Sequence, residues 1–121
     1  MPAPGCPLRI KQVKGIAVVT FRDRILLDTF ELQLIEEELS KLVASETCNH
    51  LLNDFQDVQA LSSQMIGTLL KVHEQLSSTS RKMALCNLQP KIEEIFGITQ
   101  LKKVFSILAN QAKAIKMLSK N

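Results

Sequence analysis

The segment that most constrains the fold is residues 16–21, Ile-Ala-Val-Val-Thr-Phe, which is β-branched and almost continuously apolar. A strand with one solvent-facing side alternates apolar and polar residues, whereas a continuous apolar run is typical of a strand buried on both faces. Residues 8–13, which precede it across Lys14 and Gly15, are apolar at every second or third position, as in a short edge strand. The two segments therefore predict a hairpin whose second strand lies inside a covered sheet.

The rest of the chain alternates between helix and strand patterns. Asp28 and Glu31 have the spacing of a capping box at the start of a first helix. Pro90 suits the first turn of a third helix, and Gly97 suits the C-terminal cap of that helix. We expect strands at 49–54, 82–86 and 104–107. A second helix begins at Ser63, and a final helix is marked by apolar residues 108, 112, 115 and 118.

The second helix has one clear apolar face in this interpretation. That face carries Ile66, Leu69, Leu70, His73 and Leu76. The element order is then β-β-α-β-α-β-α-β-α, which indicates βαβ crossovers. We predict an α/β domain over residues 8–121, with a mixed, mostly parallel sheet of four or five strands and helices packed on it. Residues 1–7, rich in proline, are expected to form a flexible arm.

Charge is divided unevenly along the chain, although its net value is only +3. Residues 28–57 carry eight acidic side chains and one basic, whereas residues 98–121 carry five lysines and no acid. An acidic block of this size is a poor continuous surface for phosphates, so we expect no nucleic-acid partner and assign the lysines to a solvated helix face. Segmented charge suits recognition of a protein partner.

Sequence motifs for catalysis are missing. There is no GxSxG, GxxxxGK[ST] or GxGxxG, and the glycines at 5, 15, 67 and 97 are far apart. Cys48, His50 and Cys86 could approach one another, but they lack the spacing of a zinc site, so packing is the simpler interpretation. We expect no enzyme, no metal and no cofactor. Cys6 makes the cysteine count odd, which favours reduced thiols; with no signal peptide or membrane span in the sequence, we expect a cytoplasmic protein.

The loop that leads into the second helix is the best candidate for function. Two serines before a helix need no reason beyond capping, because serine is a favoured N-cap. A hydroxyl at that place is also a suitable phosphate acceptor, since a helix N-terminus tolerates negative charge. The candidate surface consists of Ser62, Ser63, Gln64, Met65 and Ile66.

Two matches, the second of them in two segments, resemble a known family. Residues 51–69 read Leu-Leu-Asn-Asp-Phe-Gln-Asp-Val-Gln-Ala-Leu-Ser-Ser-Gln-Met-Ile-Gly-Thr-Leu. Residues 83–90 read Met-Ala-Leu-Cys-Asn-Leu-Gln-Pro, and residues 95–105 read Ile-Phe-Gly-Ile-Thr-Gln-Leu-Lys-Lys-Val-Phe. The chain resembles the bacterial anti-sigma factor antagonist branch of the STAS domain family (sulfate transporter and anti-sigma factor antagonist) over roughly residues 8–118.

The resemblance implies a phosphorylation-switched binding protein that regulates sigma-factor-dependent transcription. The partner would be an anti-sigma factor that is also a serine kinase, with a phosphatase as a further partner, and Ser63 matches the phospho-acceptor. Ser62 stands where the family has aspartate and Met65 where it has a small residue, which would reshape the contact surface. Asp54 would orient the loop that carries Ser63, and Gly67 would let the helix pack closely on the sheet.

Two other functions remain open at the level of the sequence. The chain could be a scaffold subunit of a stress-signalling complex, or it could be a small-ligand sensor. A hydrolase or transferase would need a convergent acid and base in a cleft, and the sequence indicates none.

Overall fold

A computed structural model describes residues 8–22, 25–26, 29–45 and 49–119. The predicted arm at 1–7 and the predicted cap at Asp28 lie outside these residues. The strands are β1 (Leu8–Val13), β2 (Ile16–Phe21), β3 (Ile25–Leu26), β4 (His50–Asp54), β5 (Ala60–Leu61), β6 (Met83–Cys86) and β7 (Ser106–Leu108). The helices are α1 (Thr29–Ala44), α2 (Ser63–Ser77), α3 (Pro90–Ile98) and α4 (Gln111–Ser119), and a 3-10 turn spans Leu101–Lys103.

The main sheet has five strands in the order β1-β2-β4-β6-β7. Only β1 is antiparallel to its neighbour, and β2, β4, β6 and β7 are parallel. This confirms the predicted α/β class with a mixed, mostly parallel sheet. Strands β3 and β5, which the sequence pattern did not predict, form a separate parallel pair in which Leu26 lies opposite Leu61. Strands of two residues are too short to show a period of their own.

Residues of β2 alternate between two cores, as its continuous apolar sequence predicts. Ala17 and Val19 belong to the larger core, which α1, α2 and α3 cover, whereas Ile16 and Val18 belong to a smaller core beneath α4. The sheet is therefore buried on both faces, which is why its central strands lack polar alternation.

The hairpin between β1 and β2 closes through a two-residue turn. Val13 pairs with Ile16, and the two residues between them have positive φ, 53° at Lys14 and 80° at Gly15. Positive φ at both central positions is the mark of a type I′ turn, whose twist matches that of the paired strands. A Cβ at Gly15 would lie 2.9 Å from Nδ2 of Asn49, the end of an exposed side chain that can shift, so the positive φ is the main reason for glycine there.

Helices α1 and α2 lie side by side on the larger core and run in the same direction. Each follows a strand of the β3–β5 pair and leads back to the amino end of a parallel strand. Lys71 Nζ of α2 lies 3.0 Å from Glu36 Oε1 of α1. Beyond the end of α2, Arg81 Nη1 donates to the carbonyl of Val43 at 2.8 Å and so satisfies the C-terminal end of α1.

The buried face of α2 differs from the predicted one. Its buried residues are Met65, Thr68, Leu69, Val72 and Leu76. The predicted positions Ile66, Leu70 and His73 lie on the flank of the helix and are only partly buried. The His73 ring meets Phe105 edge-on, with centroids 5.6 Å apart. The flank of a helix that packs against a neighbouring turn is as apolar in sequence as the face that packs on the sheet. Periodicity alone therefore predicted a buried face that is rotated from the observed one toward this flank.

Three predicted boundaries near the C-terminus are wrong. Gly97 lies inside α3, and the left-handed residue after that helix is Gln100, with φ of 62°. The last strand begins at Ser106 rather than 104, because the 3-10 turn precedes it and leaves Val104 exposed. Helix α4 begins only at Gln111, where the carboxamide oxygen of Asn110 accepts a hydrogen bond from Lys113 N at 2.9 Å.

Candidate functional site

The candidate site lies at one edge of the sheet, where the parallel strands reach their carboxyl ends. Helices α3 and α4 begin at this edge, because each follows a parallel strand of the main sheet. Helix α2 begins there after β4 and the short strand β5. In open α/β sheets this is the edge at which ligands and partners bind. The start of α2, at Ser62 and Ser63, is the part of the edge that the sequence indicated.

The two serines have different structural roles. Ser62 is the N-cap: its backbone is extended, with φ of −90° and ψ of 166°, and its hydroxyl oxygen accepts a hydrogen bond from Met65 N at 3.3 Å. Ser63 is the first residue of α2 and its side chain is exposed. A hydroxyl at Ser63 is therefore open to modification while its neighbour holds the helix end.

The predicted contact surface needs one correction. Gln64 is exposed and Ile66 is half-buried, but Met65 is completely buried in the larger core. A buried side chain cannot touch a docked protein, so the replacement of a small residue by Met65 fills the core instead of reshaping the surface. The exposed part of this segment is formed by Ser63 and Gln64, with Ser62 and Ile66 half-buried beside them.

Asp54 binds the first residues of the loop that leads to Ser63, and it also organises a second part of the edge. Its carboxylate accepts hydrogen bonds from Gln56 N at 2.9 Å, Asn87 Nδ2 at 3.2 Å and Gln111 Nε2 at 2.6 Å. Among the described residues it makes none with Ser62 or Ser63. The reason is strand alternation: Asp54 shares the face of Leu52, which packs in the core beneath α4, whereas α2 lies on the other face. Asp54 therefore joins β4, β6 and α4.

The thiol beside this carboxylate is inert. Burial and, to a smaller extent, the negative charge of Asp54 raise the pKa of the Cys86 thiol to about 12. With this pKa, Cys86 stays protonated at neutral pH. Because only the thiolate is a good nucleophile, the thiol is unreactive. Within the ranges described, no cluster of three or more His, Cys, Asp and Glu side chains could hold a metal ion.

Gly67 does not serve the close packing that the resemblance implied. The residue is exposed, and a Cβ added to it would have no atom of a neighbouring element within 4 Å. The packing of α2 on the sheet is carried by Met65, Leu69, Val72 and Leu76 instead. An exposed glycine inside a helix has no evident role in this fold.

One further residue near this edge was not among the predicted site residues. Phe30, the second residue of α1, is 70% exposed. Because Leu26 and Leu61 are paired, the starts of α1 and α2 lie next to each other, which brings Phe30 to the same edge as Ser63. The signal was present in the sequence, since Phe30 falls outside the apolar stripe of Leu32 and Ile35.

The fold and the edge together define a small α/β domain with an exposed helix start at Ser63. The model of the STAS domain family matches residues 8–114. The chain belongs to the STAS domain family. No helix in the described ranges has the length and apolar character needed to cross a membrane.

Known relatives agree with this assignment. An anti-sigma F factor antagonist from Paenibacillus polymyxa is 18% identical over 111 residues, which cover 92% of this chain and 93% of that protein. The structure of an anti-sigma-factor antagonist (STAS) domain protein from Planctomyces limnophilus matches with a TM-score of 0.82 at 17% identity, covering 93% of this chain and 97% of that one. The Bacillus protein SpoIIAA, solved in its phosphorylated form, matches with a TM-score of 0.71 at 15% identity, covering 91% and 97%.

Proposed function

We propose that the chain is an anti-sigma factor antagonist that binds an anti-sigma factor through the start of α2 and releases it when Ser63 is phosphorylated. The observation that carries the proposal is that the two serines have different structural roles. Ser62 caps the helix, whereas Ser63 is exposed and is not used as the cap. The similarity to an anti-sigma F factor antagonist and to the phosphorylated form of SpoIIAA supports it.

The chemistry of a helix start suits a reversible switch. A phosphate on Ser63 would add about −1.5 to −2 charges where the helix dipole and unpaired N–H groups favour an anion. Because the capping hydrogen bond belongs to Ser62, the fold keeps its cap in both states. The switch therefore changes the surface and leaves the packing intact.

Release follows from the cost of burying the new charge. Unphosphorylated Ser63 can be covered by a partner with only a hydroxyl to satisfy. A phosphate dianion in the same contact must lose water, and an unpaired buried charge costs far more than a hydroxyl. Phosphorylation would thus weaken the complex and leave the stability of the folded protein unchanged.

The proposal includes the remaining properties that a partner-switching regulator needs. The protein acts by binding and not by catalysis, and its partners are an anti-sigma factor with serine kinase activity and a phosphatase. Neither nucleic acid nor membrane is a partner, and the site of action is the cytoplasm. The inert Cys86 and the buried position of Asp54, which three hydrogen-bond donors engage, support a binding role for this edge.

The experiment compares binding of a purified anti-sigma factor kinase to wild type, Ser63→Asp and Ser63→Ala. We expect Ser63→Asp to fold as stably as wild type and to lose affinity, and Ser63→Ala to bind while refusing phosphate. Ala112→Asp is the matched control, because it puts the same charge in the exposed first turn of α4. Equal affinity of Ser63→Asp and wild type, with no phosphate on Ser63 after incubation with the kinase, would refute the proposal.

A further inference from the structure

The glycine inside α2 destabilises the helix without any internal benefit. Gly67 lies four residues after Ser63, its backbone is exposed, and no neighbouring element occupies the space of a Cβ. Glycine in a helix interior is less stable than alanine because it loses more backbone freedom on folding. What Gly67 does provide is bare backbone with open space in place of a side chain on the outer surface of α2, which we call the Gly67 notch.

An exposed aromatic residue lies at the start of the neighbouring helix α1. Phe30 is 70% exposed and lies almost opposite the stripe of α1 that packs on the sheet, at Leu32, Ile35, Leu39 and Val43. Its side chain therefore adds nothing to either core in the described structure. Large aromatic side chains in such positions are the residues that most often anchor protein interfaces.

The ion pair between α1 and α2 gives the approximate level of these residues along the two helices. Counting back from Glu36 and Lys71 at 1.5 Å per residue, Phe30 lies about 9 Å toward the helix starts, Gly67 about 6 Å and Ser63 about 12 Å. Phe30 is thus level with the interval between Ser63 and Gly67. Packed helices have axes about 8–10 Å apart, so one contacting segment can span all three residues.

We propose that Phe30, Ser63 and the Gly67 notch form one docking surface for the anti-sigma factor, in which a protruding apolar segment of that partner enters the notch and packs on the Phe30 ring. This inference rests on the proposed function and adds α1 and Gly67 to its surface. A close, dry contact beside Ser63 is the condition under which a phosphate there would be most costly.

The charge of α1 describes the partner further. Glu37 is exposed and shares the outward face of Phe30, about 10 Å further along the helix. The surface is therefore apolar at the start of α1 and carries the negative charge of Glu37 beyond it, while Lys41, one turn further, pairs with Glu38 at 3.6 Å. A matching partner segment has an apolar tip and a basic residue that faces Glu37.

The test measures the dissociation constant and thermal midpoint of four variants with the anti-sigma factor kinases encoded in the same genome, each purified. Gly67→Ala should raise the midpoint by about 2–5 °C yet weaken binding at least about tenfold. Phe30→Ala should leave the midpoint nearly unchanged and weaken binding by a similar factor.

Two matched controls separate contact from stability. Gly97 is also an exposed helix glycine, where a Cβ would meet only the side chain of Lys102 at 3.8 Å, and Ile98 is 75% exposed. Gly97→Ala should also raise the midpoint, and neither it nor Ile98→Ala should change the dissociation constant by more than about twofold.

The outcomes distinguish this surface from the proposed function. If Ser63→Asp loses binding while Gly67→Ala and Phe30→Ala bind as wild type, the surface is wrong and the proposed function stands. If both contact variants lose binding and Ser63→Asp does not, the surface is supported and the phosphorylation switch fails. Self-association that both contact variants abolish would assign the surface to a second copy and overturn the inference, and a wild type that binds none of the kinases overturns both.

Discussion

The hydroxyl of Ser62 accepts a hydrogen bond from the backbone N–H of Met65 at 3.3 Å, which makes Ser62, and not Ser63, the N-cap of α2. Capping by serine is worth about 0.5–2 kcal/mol relative to alanine. We therefore expect Ser62→Ala to lower the free energy of unfolding by about that amount, and Ser63→Ala to lower it by less than about 0.5 kcal/mol. Chemical denaturation of both variants measures the difference, and equal losses would place the cap elsewhere.

Asn53 weakens the larger core. It lies in the central strand β4 between Val19 and Leu85, its side chain is completely buried, and neither Nδ2 nor Oδ1 has a hydrogen-bond partner in the residues described. A buried polar group without a partner costs about 1–3 kcal/mol. Asn53→Leu keeps the number of side-chain heavy atoms and removes both unpaired polar atoms, so it should raise the free energy of unfolding by up to about that amount, less the cost of fitting the larger leucine side chain.

The matched control for this prediction is Asn87→Leu, because the amide of Asn87 is used. Its Nδ2 donates to Asp54 Oδ1, and its backbone has a positive φ of 57°, which leucine adopts poorly. Asn87→Leu should therefore destabilise the protein. A loss of stability in Asn53→Leu comparable to that in Asn87→Leu would show that Asn53 has a partner such as a buried water.

The β1–β2 turn should respond to substitution in opposite directions at its two positions. Gly15→Ala places a side chain at a φ of 80° and 2.9 Å from Asn49, so it should cost about 1–2 kcal/mol or more. Lys14→Asn should be neutral or stabilising, because asparagine tolerates positive φ and is favoured at this place in type I′ turns. Thermal unfolding of the two variants checks the turn type, and a stable Gly15→Ala variant would exclude it.

Stability should fall below about pH 6.5 because of His50. Burial, followed by the positive charges of Lys82 and Arg81, lowers the pKa of His50 below its usual value of 6.5. A lowered pKa means that the folded state prefers the neutral ring, and Nδ1 of that ring accepts a hydrogen bond from Lys82 N at 3.0 Å. The stabilisation from His50 is complete at a pH above the pKa of this histidine in the unfolded chain. It is lost as the pH falls through the lower pKa of His50 in the folded protein.

The test for His50 is to measure the free energy of unfolding between about pH 7.5 and pH 5, a range that includes the usual histidine pKa of about 6.5. His50→Gln keeps a hydrogen-bond acceptor and removes the titration, so its slope against pH should be flatter than that of wild type. Parallel slopes for the two proteins would show that His50 is not the titrating group.

Sequence patterns predicted the fold more completely than the site. The continuous apolar run at 16–21 and the alternation of helix and strand signals were sufficient for the parallel sheet, because burial on both faces leaves a direct trace in residue type. Local signals failed where tertiary packing decides. The flank of α2 at Ile66 and Leu70 has the same apolar periodicity as the face that packs on the core. Glycine is the residue that most often caps a helix C-terminus, yet Gly97 lies inside α3.

The prediction of the site was likewise correct for local features and incomplete for those that depend on tertiary structure. The sequence could place Ser63 at a helix start, but the assignment of the cap to Ser62 depends on a hydrogen bond to Met65 that either serine could have made. The direction of Asp54 depends on which face of β4 it occupies, and the proximity of Phe30 to Ser63 depends on a two-residue strand pair. Neither relationship has a sequence period to reveal it.

The most direct test of the central claim is calorimetric titration of a cognate anti-sigma factor kinase with protein carrying phosphoserine at position 63, compared with the unmodified protein. The account predicts that both forms fold with the same circular dichroism spectrum and similar stability, and that phosphorylation weakens binding at least about tenfold, or about 1.4 kcal/mol. Equal affinity of the two forms, or tighter binding of the phosphorylated one, would contradict it.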